Sequence, residues 1–227
     1  MSTSLNKGKI NNYFENPKNP NIYTPYIMGK WLHNKINYSN IPGNEILDLC
    51  CGSGNLSWKF EETGCSVIGV DIIDHSKDFK GKFYKESYFE FADKLKSLYE
   101  HPKFILINSP WNNPKKLFGK AYLPEMFLRK ILKVYGPDIK IVMFTSYTLL
   151  MNSRINTKSR KYNRQDWLRD CGADITHIVQ LPLDFFPNVK MWNHILFFNF
   201  DDSEVNIKRF DFLSEDFKTD YYKEVTQ

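Results

Sequence analysis

Glu45-Ile-Leu-Asp-Leu-Cys-Cys-Gly-Ser-Gly-Asn55 opens as an apolar run with Asp48 set among Ile46, Leu47 and Leu49, then breaks at two glycines one residue apart. The chain then leads into Asn55-Leu-Ser-Trp-Lys-Phe60, which suits the start of a helix. Strand, tight turn, helix is therefore the predicted order. Gly52-Ser53-Gly54 lets the backbone turn without Cβ clashes and lets a ligand come close to the main chain, beside the unpaired N–H groups of a helix start. Alone, the same three residues also suit an ordinary strand-to-helix turn.

Two further stretches share the pattern. Cys65-Ser-Val-Ile-Gly-Val-Asp71 is an apolar strand ending in a carboxylate, at about the spacing by which a ribose-binding acid follows a glycine turn in dinucleotide folds. Phe104-Ile-Leu-Ile-Asn-Ser-Pro-Trp111 is another, ending in an amide, a proline and an indole. An ordinary strand and turn gives no packing reason for that amide and indole to stand together.

Taken in order, Asp48-x-x-x-Gly52-x-Gly54, Asp71 and Asn108-Ser-Pro-Trp111 resemble the S-adenosylmethionine-dependent amino-methyltransferases that modify adenine N6 in nucleic acid. Thr24-Pro25 ahead of the glycine turn resembles the cofactor-side segment of their gamma group. The resemblance implies a Rossmann-like α/β fold: a seven-stranded, mostly parallel sheet with an antiparallel C-terminal hairpin. It implies S-adenosylmethionine as cofactor, held by Thr24, Asp48, Cys50, Gly52, Gly54, Asp71, Glu86 and Asn108. It also implies catalysis by Asn108, Ser109, Pro110 and Trp111, with Trp111 and Phe186 on opposite faces of a flipped base. Asn108 and the Ser109 carbonyl would accept the hydrogens of the target amine. The chain departs from the family's Asn/Asp/Ser-Pro-Pro-aromatic signature by carrying Ser109 in place of the first proline, and Glu86 is one methylene longer than the usual acid.

The 227 residues suit one domain with a sizeable core, and 42% apolar with 16% aromatic content argues for a folded globule. With no long apolar run and no charged-then-apolar leader, a cytoplasmic protein without membrane contact is expected. The four cysteines form no Cys-x-x-Cys pair and the five histidines show no ligand spacing, so neither a disulfide scaffold nor a metal site is expected. Net charge is +5, and thirteen Lys or Arg lie between Lys103 and Arg164 against Glu125 and Asp138. A solvated surface and a polyanionic partner both fit that excess. The densest part is the polar connection from Met151 to Gln165, where Arg154, Lys158, Arg160, Lys161 and Arg164 are candidate phosphate contacts.

Around these motifs, residues 1–22 are predicted as a polar arm and 23–200 as the catalytic domain. Thr24 is read as N-cap and Pro25 as the first residue of a helix carrying Ile27, Met28, Trp31, Leu32 and Ile36. Lys82–Glu86 is predicted as a strand, and Ser87 to Glu90 as a capping box opening a helix to about Glu100. A helix is predicted from Leu123 to Tyr135 and a strand from Ile139 to Thr145. A short helix from Asn163 to Cys171 and strands at Asp174–Leu181 and Val189–Phe200 complete the pattern. Residues 201–227 are an acidic extension expected to form an edge or tail, too short for a separate target-recognition domain. Substrate readings are DNA first, then RNA, a protein glutamine amide, or a binding protein without catalysis. A partner subunit could supply target recognition.

Overall fold

The computed structural model describes residues 24–111, 122–151, 164–183, 185–186 and 192–213. Helix α1 (Ile27–Lys35) leads into β1 (Glu45–Leu49), α2 (Trp58–Glu62), β2 (Ser66–Asp71) and β3 (Lys82–Lys85). There follow α3 (Tyr88–Leu98), β4 (Phe104–Ile107), α4 (Leu123–Tyr135), β5 (Ile141–Ser146) and the short α5 (Thr148–Met151) and α6 (Arg164–Asp170). The chain closes with β6 (Ile175–Leu181), β7 (Asn193–Phe198) and β8 (Phe210–Phe212). Eight strands form one sheet in the order β3-β2-β1-β4-β5-β7-β6-β8. Each neighbouring pair is parallel except the two made by β7.

The continuous apolar runs of β1, β2, β4 and β5 arise because both sheet faces are covered. Alternate residues Ile46, Val67, Phe104, Leu106, Val142 and Phe144 join Met28 and Leu32 of α1 and Phe60 of α2 in one core. Their neighbours Leu47, Leu49, Ile68, Val70, Ile105 and Ile107 meet Phe91 and Leu95 of α3 and Leu128 and Ile131 of α4 in the other. This is the α/β Rossmann-like methyltransferase fold.

Several local expectations are corrected. The sheet has eight strands because residues 201–213 join it: β8 pairs in parallel with β6, and Val205 bridges to Ile36 at the end of α1. The Asn206 N–H donates to the Lys35 carbonyl at 2.7 Å, capping a helix end that would otherwise lack a donor. Thr24 does not cap α1; Tyr26 holds that position with no side-chain cap. Ser87 does precede α3, but its hydroxyl makes no cap hydrogen bond, and the helix stops at Leu98. Helix α2 is only five residues long, because Cys51 to Ser57 close successive turns first. Among the described residues no helix is long and apolar enough to cross a membrane.

Candidate functional site

The parallel register places Leu49 level with Val70 and Ile107, so the residues following β1, β2 and β4 emerge at one edge of the sheet. The glycine turn stands in the middle of that edge. Cys50, Gly52 and Gly54 have φ of 58°, 51° and 86°, and Cys50 and Asn199 are the two non-glycine residues with positive φ among the described residues. Such a conformation costs a side-chain-bearing residue about 1–3 kcal/mol and is held by its surroundings. Here Cys50 is fixed by its N–H, which donates to the Val70 carbonyl at 2.8 Å. Burial, with Asp71 and Asp48 adding repulsion, pushes the Cys50 and Cys51 thiols well above their ordinary range. They are neutral, and all four cysteines are unpaired.

Asp71 is braced on both oxygens. The Gly52 N–H donates to Oδ2 and the Ile73 N–H to Oδ1, each at 2.9 Å. A carboxylate has about four acceptor positions, so two remain for ligand hydroxyls. The Glu86 N–H donates to the Asp71 carbonyl at 2.8 Å, bringing the exposed Glu86 beside it.

Asp48 is fully buried one strand away. Its Oδ2 accepts a 2.6 Å hydrogen bond from the Ser57 hydroxyl, while Oδ1 has no partner. Burial pushes its pKa up to about 7; the Ser57 bond opposes the rise and neighbouring Asp71 adds to it. A buried carboxyl oxygen without a donor is costly and suits a cationic or hydrogen-donating ligand over the turn. Ser57 was not singled out in the sequence, although a hydroxyl one turn into an expected helix start is its signal.

At the end of β4, the half-buried Asn108 donates through Nδ2 to Thr24 Oγ1 at 2.7 Å. Thr24 is thus a partner of Asn108. Its carbonyl accepts from Asn55 Nδ2 at 2.7 Å, and Asn55 Oδ1 accepts from the Ser53 hydroxyl at 3.1 Å. Asn55 was read only as a helix-start residue. Ser109 is buried with an unpartnered hydroxyl, and the Trp111 indole N–H has no acceptor among the described residues. Trp111 does reach Phe186, but edge-to-face at 83° with centroids 4.9 Å apart. Two rings enclosing a base must stand about 7 Å apart, twice the optimal carbon contact. The expected sandwich is closed in this conformation, and Phe186 is buried.

Beyond these, Tyr122 places its hydroxyl 2.6 Å from Ser146 Oγ and 3.1 Å from Thr145 Oγ1 at the end of β5. This polar cluster at the end of β5, the strand next to β4, was not anticipated, because Tyr122 precedes a helix and the two hydroxyl residues end an apolar strand.

Much of the basic excess has structural work. Lys103 donates to the Ile41 carbonyl at 2.7 Å, Arg129 pairs with Glu125 at 2.8 Å and Lys130 with Asp93 at 2.9 Å. Lys140 pairs with buried Glu204 at 2.9 Å. Arg154, Lys158, Arg160 and Lys161 are outside the described residues, and Arg164 is placed only as the first residue of α6. No group of three or more His, Cys, Asp or Glu placed to hold a metal occurs among the described residues.

No protein-family model and no curated protein matches the sequence. Solved structures share the fold at low identity. A modification subunit of a putative type I restriction enzyme from Vibrio vulnificus YJ016 is 16% identical, with 87% of this chain covering 50% of that one at a TM-score of 0.54. The type I restriction enzyme EcoKI M protein is 12% identical, with 78% covering 43% at 0.53. A putative class I S-adenosylmethionine-dependent methyltransferase from Listeria monocytogenes is 13% identical, with 88% covering 68% at 0.52. The chain spans half or less of the length of the first two.

Proposed function

We propose that the protein is an S-adenosylmethionine-dependent methyltransferase that methylates the exocyclic N6 of adenine in DNA. The observation that carries this reading is Asn108. A neutral amide stands at the end of the central strand, beside an indole, on the same sheet edge as a glycine turn braced by a carboxylate.

The residues present fit the cofactor. Gly52 to Gly54 leave room for close approach, Asp71 keeps acceptor capacity for ribose hydroxyls, and the unpartnered Asp48 Oδ1 suits the ammonium of the methionine part. Glu86 stands beside Asp71 as a further acceptor. When bound, S-adenosylmethionine supplies a methyl group on a sulfonium leaving group.

The chain's own residues must then hold a poor nucleophile in line. An exocyclic amine conjugated to a purine gains nucleophilicity as its nitrogen becomes tetrahedral, and acceptors on its two hydrogens favour that geometry. With Nδ2 committed to Thr24, Asn108 Oδ1 is the acceptor left; the Ser109 carbonyl is the second. A neutral amide does not take the released proton, which passes to water. The Trp111 ring supplies stacking, worth about 1–3 kcal/mol per base. It must turn from its edge-to-face contact with Phe186 to do so, and an adenine in a duplex must leave the stack. Two of the solved structures named above are restriction-enzyme modification proteins by name, which supports DNA as substrate and a separate subunit for target recognition.

The test is incubation with methyl-labelled cofactor and total DNA, RNA and protein, followed by nucleoside and amino-acid analysis. Label in N6-methyladenine of DNA is expected from the wild type, and none from Asn108→Ala with its cofactor binding retained. Label confined to RNA or to glutamine would overturn the substrate, and full activity of Asn108→Ala would overturn the mechanism.

A further inference from the structure

Three hydrogen bonds connect the glycine turn to the Asn108 amide: Ser53 Oγ to Asn55 Oδ1 at 3.1 Å, Asn55 Nδ2 to the Thr24 carbonyl at 2.7 Å, and Asn108 Nδ2 to Thr24 Oγ1 at 2.7 Å. The residues come from three separate places in the chain, so the connection exists only in the folded protein. Thr24 is at its centre and is buried.

A side-chain amide has two ends of similar shape and opposite chemistry: NH2 donates twice and the oxygen accepts. Turned the wrong way, Asn108 would set donors against the hydrogens of an amine. We infer that Thr24 is a positioning residue that fixes the Asn108 amide with its oxygen free for the substrate amine, and that Asn55 sets Thr24 from the glycine turn. This rests on the proposed amino-methyltransferase reading and adds to it. The expected contact of Thr24 with the cofactor becomes a role toward the acceptor of the methyl group. Ser53 and Asn55 belong to the segment over which the cofactor is proposed to lie, so the same bonds join the two halves of the site.

The mechanics are specific. Asn55 restrains Thr24 through its backbone carbonyl, which a substitution at Thr24 leaves in place, whereas the hydroxyl alone reaches Asn108. Thr24→Val keeps the shape and the carbonyl anchor while deleting the hydroxyl. Thr24→Ser keeps the hydroxyl and loses a methyl group. Asn55→Ala keeps the hydroxyl but releases its anchor.

The experiment measures three things on the full chain: kcat and KM for DNA methylation, S-adenosylhomocysteine affinity by calorimetry, and the Asn108 side-chain NH2 signals in 15N-resolved spectra. Those signals are identified by their loss in Asn108→Ala. For Thr24→Val, kcat is expected to fall tenfold or more while cofactor affinity stays within twofold. The exchange-protected Asn108 NH2 proton should lose its protection. Thr24→Ser should restore both kcat and protection, and Asn55→Ala should lower them partially. Wild-type kcat, or unchanged NH2 protection, in Thr24→Val overturns the inference, as does a Thr24→Ser protein that behaves like Thr24→Val. If the wild type transfers no methyl group, the functional reading fails by itself, and the amide signals still decide whether Thr24 holds Asn108. If Thr24→Val does not fold, the spectrum of Asn55→Ala decides: full NH2 protection there overturns the inference.

Discussion

Replacing Asp48 with Asn should remove a pH effect on stability. Burial holds the Asp48 carboxyl at about 7, against an ordinary value of 3.8. Between those two values the native chain keeps a proton that the unfolded chain releases. The native state therefore binds more protons, and stability must fall as pH rises across the window. The contribution is fully present below 3.8 and is gone once pH passes about 7. Each pH unit well inside that window is worth 1.36 kcal/mol, so about 2–3 kcal/mol is lost between pH 5 and pH 8. In Asp48→Asn nothing titrates at this position. Its NH2 lacks an acceptor, a pH-independent cost of about 1–3 kcal/mol. His177 and His194 have pKa values lowered by burial, and their contributions are lost as pH falls; being common to both proteins, they cancel in the difference. Urea unfolding followed by the fluorescence of the five tryptophans, at pH 5 to 8, measures the quantity directly. The mutant should gain about 2–3 kcal/mol on the wild type between the ends of that range. Two parallel pH profiles would show that Asp48 ionises normally and would refute the reasoning.

Three other predictions concern Asp71, the interior of β2 and Asp48. Asp71→Ala should weaken S-adenosylmethionine and S-adenosylhomocysteine by the same factor, tenfold or more, since both carry the ribose; calorimetry showing unequal losses would remove Asp71 from that role. Gly69→Ala would set a Cβ 2.6 Å from Phe79 Cζ and 2.9 Å from Cys51 Sγ. It should destabilise the fold by about 1–3 kcal/mol, and Phe79→Leu should recover part of that loss in a double mutant, as read from denaturation midpoints. Asp48 ionisation should also couple to the cofactor's ammonium, so S-adenosylmethionine affinity is expected to rise with pH up to about 7 and then level off, while Asp48→Asn should show no such rise in calorimetry.

The central strands were legible in the sequence because a parallel strand covered on both faces has to be apolar throughout. Ile46–Leu49, Val67–Val70 and Phe104–Ile107 could be little else. Asp71 and Asn108 were legible for a related reason, as polar residues closing such runs. Thr24 shows where local reading stops. Its position ahead of a proline and an apolar-periodic segment suits an N-cap, but its hydroxyl accepts a 2.7 Å bond from Asn108, far along the chain, and no local pattern encodes that. The same holds for Phe79, which no motif singles out. Its ring lies against Gly54, Gly69 and Gly81, and explains why a glycine sits in the middle of β2. Strand β8 was missed as a strand because three residues with two exposed phenylalanines carry no buried face to betray it.

The strap formed by residues 201–206 bears on how the protein is made. Helix α1 leaves the ribosome before the sheet that follows it, yet the carbonyl at its end and the Asn37 N–H find their partners, the Asn206 N–H and the Glu204 carbonyl, only after strands β1 to β7 have been synthesised. Glu204 also meets Lys140 there, and Ile36 meets Val205. Until then the α1 side of the sheet is open at its rim, a long-range closure of the kind that folds slowly and leaves apolar surface exposed to other chains. Substitutions such as Glu204→Ala should therefore show themselves first as lower soluble yield during expression, before any change in the chemistry of the finished protein.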